Sequence, residues 1–199
     1  MRQSFVSLIA LFTLTFGSHA MASEPAPKTA LFGGGCFWCM QPSFDTTAGV
    51  TATSVGYAGG DAKTATYEHV STGRTAHVEV IQITYDPAKV AYEKLLETYL
   101  ENIDPTDAGG QFADRGPQYQ TVIFYADDAQ KHAAEKALAA IAPKFAPAPI
   151  AVRLKPAVSF FAAEDYHQRY YEKNRAHYNA YKVGSGRAGY IEETWKNKQ

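Results

Sequence analysis

Read for the spacing of its apolar residues, the chain divides into a short apolar leader and a longer region where strand-like and helix-like patterns alternate irregularly. Thr29–Phe32 predicts a short buried strand running into Gly33-Gly34-Gly35, and Cys36 to about Thr46 predicts a helix in which Pro42 is awkward beyond the first turn. The β-branched stretch Val50–Tyr57 predicts a strand that ends at Gly59-Gly60. His77–Tyr85 is the clearest strand, with Glu79, Ile81, Ile83 and Tyr85 on one face and Val78, Val80, Gln82 and Thr84 on the other. Apolar residues on both faces place it centrally in a sheet. Asp86-Pro87 ends it, and Val90–Ile103 follows as a helix with Leu95, Leu96, Tyr99, Leu100 and Ile103 on one side. Residues 104–117 have no period and read as a loop of functional length. Tyr119–Tyr125 predicts another strand, Asp127 caps a helix to about Ile141, Ile150–Leu154 is a short strand, and Glu164–Asn174 predicts a helix dense in aromatics. From Lys182 the pattern is that of a loose tail. The order of elements implies a single α+β domain of two layers, a mixed β-sheet with helices packed on it.

The leader changes where this domain is expected to work. Met1-Arg2, an apolar stretch from Leu8 to Phe16, and Ala20-Met21-Ala22 have the order of a secretory signal peptide cleaved near Ala22. The apolar stretch is too short to span a bilayer, although an uncleaved anchor is the alternative. The expected organisation is a signal peptide over 1–22, a tether over 23–28, the catalytic domain over 29–181 and a C-terminal tail over 182–199. The mature protein is expected to be a monomer in the periplasm, without membrane attachment.

Composition adds two exclusions. With 46% hydrophobic residues the chain builds a core without disulfide staples, and a formal net charge of -1 with no Lys/Arg-rich run gives nucleic acid no footprint. The two cysteines are Cys36 and Cys39. A bridge across two residues closes too small a loop to stabilise a fold, so the pair reads as a redox device. Zinc needs two further ligands at matching spacing, and no His-x₃₋₅-His pair supplies them, so no metal or other cofactor is expected. A helix starting at Cys36 would favour a thiolate there through its orphan N–H groups and dipole. Cys39 lies one turn on, placed to resolve an oxidised Cys36. Phe37 and Trp38 between them are either ordinary core or the walls of a pocket for a small apolar group.

Gly35-Cys36-Phe37-Trp38-Cys39 resembles the signature of the type A peptide methionine sulfoxide reductases. The likeness continues in order through Gly56-Tyr57-Ala58-Gly59-Gly60, Thr66-Tyr67, Gly73, His77-Val78-Glu79-Val80, Tyr85-Asp86-Pro87, Asp104-Pro105-Thr106, Asp114, Gly116, Gln118-Tyr119 and Ala163-Glu164-Asp165-Tyr166-His167-Gln168. The resemblance implies a ferredoxin-like sandwich that reduces the S epimer of methionine sulfoxide, free or in proteins. It implies that Cys36 attacks the sulfoxide sulfur and becomes a sulfenic acid, that Phe37 and Trp38 hold the methyl group, and that Glu79 protonates the oxygen. It further implies that Tyr67 and Tyr119 hydrogen-bond that oxygen, with Asp114 positioning the site. The tail carries no cysteine, which leaves Cys39 to close the disulfide and a thioredoxin-like dithiol protein to reopen it. Glu79 shares its strand face with apolar residues, and burial there would keep it protonated. His167, beside Asp165, reads as structural. Two rivals remain, a general thiol–disulfide oxidoreductase and a binding protein whose cysteines form an inert clip.

Overall fold

In a computed structural model of the chain, residues 26–196 are described, so the leader and its cleavage site lie outside the described residues. Strand β1 (Lys28–Gly34) leads into helix α1 (Phe37–Asp45), and β2 (Val50–Ala58) into the single turn α2 (Tyr67–Val70). Strand β3 (Val78–Tyr85) precedes α3 (Tyr92–Leu100). A two-residue ribbon, β4 (Gly110–Gln111) and β5 (Asp114–Arg115), interrupts the loop before β6 (Thr121–Tyr125). Helix α4 (Asp128–Phe145), strands β7 (Arg153–Pro156) and β8 (Phe160–Ala162), and helices α5 (Tyr170–Lys173), α6 (Arg175–Gly184) and α7 (Arg187–Ile191) complete the order.

Six strands form one mixed sheet in the order β7-β6-β1-β3-β2-β8, antiparallel except for the β6–β7 pair. The expected two-layer α+β architecture and the central position of β3 are both present. Alternation along β3 sorts its side chains. Ile81, Ile83 and Tyr85 join Phe32, Met40, Phe44, Leu95, Leu96 and Tyr99 in the main core between sheet and helices. Val78 and Val80 turn to the opposite face with Leu31, Val122 and Phe124. The strand is apolar on both faces because both faces are covered.

Local chemistry sets the boundaries. Asp127 caps α4, its side chain accepting from Gln130 N–H at 2.8 Å, and the helix runs past the expected Ile141 to Phe145 with Pro143 in its last turn. The Glu164–Asn174 helix is corrected to a series of turns and the four-residue α5. Arg169 has a left-handed φ of 52°, which breaks helical continuity, and Gln168 spends its amide on the Val55 backbone. The stretch from Lys182 is also not a loose tail. It continues α6, α7 and a π-turn, Glu192–Lys196, and buries Arg187, Ile191 and Trp195. Trp195 donates to the Ile103 carbonyl at 3.3 Å, packs on Phe145 and carries Lys144 over its ring. The composition hid this because the apolar residues there are few and widely spaced.

If these last residues belong to the core, Trp195→Ala should cost roughly 3–5 kcal/mol of unfolding free energy. Urea denaturation measures this, and a loss near zero would return the segment to the status of a tail.

Candidate active site

Strand β1 delivers the thiol. It ends at Gly34, and Gly35 then adopts φ +77°, where a Cβ would meet Gln111 at 2.5 Å, so only glycine makes this turn without strain. Cys36 follows as the N-cap of α1 and is 6% exposed. The sheet partners bring the rest. Glu79 on β3 is 2% exposed, Tyr67 opens α2, Asp114 lies on β5, and Tyr119 closes the turn before β6. These residues, with Phe37 and Trp38, line one cavity of about 130 Å³. That volume accepts a group the size of a methyl sulfoxide. Cys39 lies behind the cavity wall, 3% exposed, and both thiols are free.

The helix N-terminus is present, and two of its donors are already engaged. Phe37 N–H donates to Glu79 Oε2 at 3.1 Å, and Cys39 N–H donates to the Cys36 carbonyl at 3.1 Å. Burial, then the neighbouring Cys39, Glu79 and Asp114, push the Cys36 thiol well above its ordinary range. The surroundings thus work against the expected pre-formed thiolate: desolvation opposes the helix end and favours the Cys36 thiol. Cys39 moves the other way, held below the usual thiol range by its hydrogen bond with Cys36 and by the positive Arg187.

Glu79 behaves as the strand pattern predicts. Burial pushes its pKa up to about 8, against the lowering effect of the Phe37 N–H, with Asp114 raising it further. At neutral pH one oxygen accepts from the helix and the carboxyl keeps a proton to give. Tyr67 and Tyr119 are both raised, chiefly by burial and then by Glu79, and stay neutral donors. Burial raises Asp114 as well.

The aromatic wall is fixed from behind. Trp38 donates its indole N–H to His167 Nδ1 at 2.9 Å and stacks on Tyr170 at 3.8 Å with rings 7° from parallel. Phe37 is buried against Tyr57 and His167, so this ring is core and cavity wall at once. Burial holds His167 down to about 4, which keeps it neutral and lets Nδ1 accept from Trp38. Glu164 ties the neighbouring face together, accepting from Tyr57 hydroxyl and Tyr67 N–H, each at 2.9 Å. Sequence reasoning missed Tyr181. Its ring meets Trp38 edge-on, its hydroxyl donates to Asp114 Oδ2, and it lines the same cavity. The i, i+4 pair of His177 and Tyr181 on α6 was the available signal, obscured by thirteen tyrosines in the chain.

Comparisons with known proteins agree on one family. Residues 28–199 match the family model described as peptide methionine sulfoxide reductase. The peptide methionine sulfoxide reductase MsrA of Listeria monocytogenes serotype 4a is 50% identical over 177 residues, covering 88% of this chain and 99% of the relative. Among solved structures, methionine sulfoxide reductase A of Corynebacterium diphtheriae matches with a TM-score of 0.71 and 36% identity, covering 77% of each chain. Mxr1 from Saccharomyces cerevisiae in reduced form matches with a TM-score of 0.71 and 29% identity, over 75% of this chain and 86% of its own. The same yeast protein in complex with Trx2 shares the fold, with a TM-score of 0.52 and 22% identity over 76% of this chain and 91% of its own.

Folding raises the proton affinity of Glu79 from ~4.3, its ordinary value, to about 8. Between those pH values the folded protein holds a proton that the unfolded chain has lost. The contribution is complete below ~4.3 and is lost as pH rises through about 8. Unfolding free energy should therefore fall from about pH 5 to 8, and Glu79→Gln should flatten that fall. Urea titrations across this range decide it, and an unchanged slope in the variant would place the titration elsewhere.

Proposed function

This chain belongs to the peptide methionine sulfoxide reductase family and is an oxidoreductase that reduces methionine sulfoxide, and we propose that Cys36 carries out the reduction on the S epimer. The methyl group rests between Phe37 and Trp38, and the sulfoxide oxygen turns toward Glu79, Tyr67 and Tyr119. The observation that carries this reading is the pairing of a buried thiol with a buried acid in one cavity of methyl sulfoxide size.

The proton inventory closes on these residues. Cys36 Sγ forms a bond to the sulfoxide sulfur as Glu79 protonates the oxygen, and Glu79 regains a proton from the Cys36 thiol. The hydroxyl then passes to Cys36 as methionine leaves, so sulfur in the substrate is reduced by two electrons and Cys36 is oxidised to a sulfenic acid. Tyr67 and Tyr119 stabilise the oxygen while its charge develops, and Asp114, held by Tyr181, keeps the cavity in shape. Cys39 attacks the sulfenic sulfur, water leaves, and a Cys36–Cys39 disulfide forms.

Regeneration needs an external dithiol. A thioredoxin-like protein supplies that chemistry, and the yeast neighbour captured with Trx2 is a protein of this fold with such a partner. The apolar leader with its small-residue cleavage site supports export to the periplasm, where the chain acts as a monomer repairing oxidised proteins or free methionine sulfoxide. Among the described residues no helix is long and apolar enough to cross a membrane.

A single-turnover assay tests this function. Reduced protein, stripped of reductant and mixed with each epimer, should release about one methionine per enzyme from the S epimer only, with loss of both thiols. Cys36→Ser should release none. Cys39→Ser should release about one and then stall with a thioredoxin as sole reductant, and full turnover in that variant would remove Cys39 from the cycle. Absence of methionine with both thiols intact would favour disulfide exchange instead.

A further inference from the structure

The side chain that braces most of the aromatic wall does not itself line the cavity. His167 is 1% exposed, and its ring centroid lies 5.0 Å from that of Phe37, 5.6 Å from Trp38 and 4.5 Å from Tyr67. One imidazole thus touches three of the residues that face the reacting thiol. Tyr166 packs on the same ring at 4.1 Å. The turn that carries His167 is fastened on several sides. Glu164 accepts from the Tyr57 hydroxyl and the Tyr67 N–H. The Gln168 amide donates to the Val55 carbonyl at 2.8 Å and accepts from the Val55 N–H at 3.0 Å. Arg169 N–H donates to Gln41 Oε1 at 2.8 Å, on the helix that also bears Phe37 and Trp38. The imidazole is therefore a fixed spacer between β2, α1 and α2.

Its hydrogen bonding fixes one tautomer. An indole N–H only donates, so His167 Nδ1, 2.9 Å from Trp38 Nε1, is the unprotonated nitrogen. A neutral imidazole then carries its proton on Nε2. That nitrogen is buried without a hydrogen-bond partner among the described residues, and Glu164 Oε2 at 3.9 Å favours the proton there by charge alone. Leaving a buried donor unpaired is costly, and an apolar ring would fill the same space without that cost. The polar ring answers to the one side-chain bond it makes, the acceptor for Trp38. With its edge held by His167 and one face stacked on Tyr170, the indole cannot swing away from the cavity.

We propose that His167 is a positioning residue that sets substrate specificity: as the Nε2–H tautomer it holds Trp38 against Phe37 at the spacing of a methyl group, and so selects the alkyl group on the sulfoxide sulfur. The assignment rests on the proposed function, in which that methyl sits between the two rings. A longer alkyl group needs the indole to give way, and both the His167 bond and the Tyr170 stack oppose that movement. One extra methylene in a tight apolar pocket costs about 10–200-fold in kcat/KM, which is the discrimination His167 has to maintain. His167 exchanges no proton with the substrate, since the cavity is lined by the rings in front of it.

The test compares kcat/KM for the S epimers of methionine sulfoxide and ethionine sulfoxide, which differ by one methylene on the sulfur. The wild-type protein should prefer the methyl compound by about tenfold or more. His167→Phe keeps a ring but removes the acceptor, and the preference should fall to about threefold or less. His167→Asn, whose amide oxygen can take the indole N–H, should keep it. A merely structural role would lower kcat/KM on both substrates alike, so an unchanged ratio in His167→Phe overturns the assignment. If that variant does not fold, the ratio is read on His167→Gln, whose longer amide cannot place an acceptor at the same point. Nitrogen-15 NMR of the reduced protein supplies a readout without turnover: Nδ1 should be unprotonated and Nε2 protonated, and the opposite tautomer would overturn the assignment. Equal reduction of both sulfoxides by the wild-type protein would overturn it too, while leaving the proposed function standing. Reduction of neither methionine epimer would refute the proposed function, and this assignment with it.

Discussion

Glu79 is buried at the end of a central strand, with one oxygen bound to the first N–H of the helix that carries Cys36. Ionising it there would cost on the order of several kcal/mol, and so it stays protonated at neutral pH. Two consequences follow from that one constraint. The helix end, which would otherwise stabilise a thiolate, orients an acid instead. The thiol beside it, deprived of that donor and equally desolvated, also keeps its proton. These surroundings favour the uncharged forms of Cys36 and Glu79, and on the proposed mechanism activation waits for a substrate oxygen that can accept a proton. A polar sulfoxide supplies one, whereas a thioether product does not, which lets the same cavity bind the reactant and release the product.

The aromatic wall depends on a second set of buried ties. Trp38 is held in its plane by His167 on one edge and by Tyr170 on one face, and His167 performs this only while neutral. Its low proton affinity is therefore part of the packing: a protonated ring would offer Trp38 a second donor where an acceptor is needed. Segments far apart in sequence converge here because β8 pairs with β2 and draws the following turns across the mouth of the sheet. The C-terminal helices then supply Tyr181 to the cavity wall and Arg187 to the Gly34 carbonyl behind it, so both ends of the domain hold the site.

What could be read beforehand follows the range of the interactions involved. The alternation in β3 exposed its central position and the burial of Glu79, because strand faces are set by neighbours two residues apart. Asp127 as a cap was legible for the same local reason. The grouping of Phe37, Trp38, Tyr67, Asp114 and Tyr119 around Cys36 was not written in spacing at all and came only from the resemblance of ordered motifs. The failures are equally physical. Glu164–Asn174 has helical composition, yet Glu164, His167 and Gln168 satisfy backbone and side-chain groups on other elements, and those bonds outweigh helix propensity. Residues 182–196 looked unstructured because their few anchors, Arg187, Ile191 and Trp195, acquire meaning only against a surface built by the rest of the chain. The thiolate expectation weighed the helix end alone, whereas burial of Cys36 and the neighbouring Cys39, Glu79 and Asp114 work against it.

The two thiols stand in different surroundings. Cys36 faces Glu79 and Asp114, an environment that suppresses negative charge and favours proton-coupled attack on a neutral oxygen acceptor. Cys39 lies behind the cavity wall, where its pairing with Cys36 and the positive Arg187 push its proton affinity the other way. The two thiols titrate as a pair, so charge on one is held at the expense of the other. In the proposed cycle a sulfenic acid on Cys36 then has Cys39 one helical turn away. The cavity reaches Cys36 and leaves Cys39 behind its wall, and in the proposed cycle this geometry orders oxidation at Cys36 before resolution by Cys39.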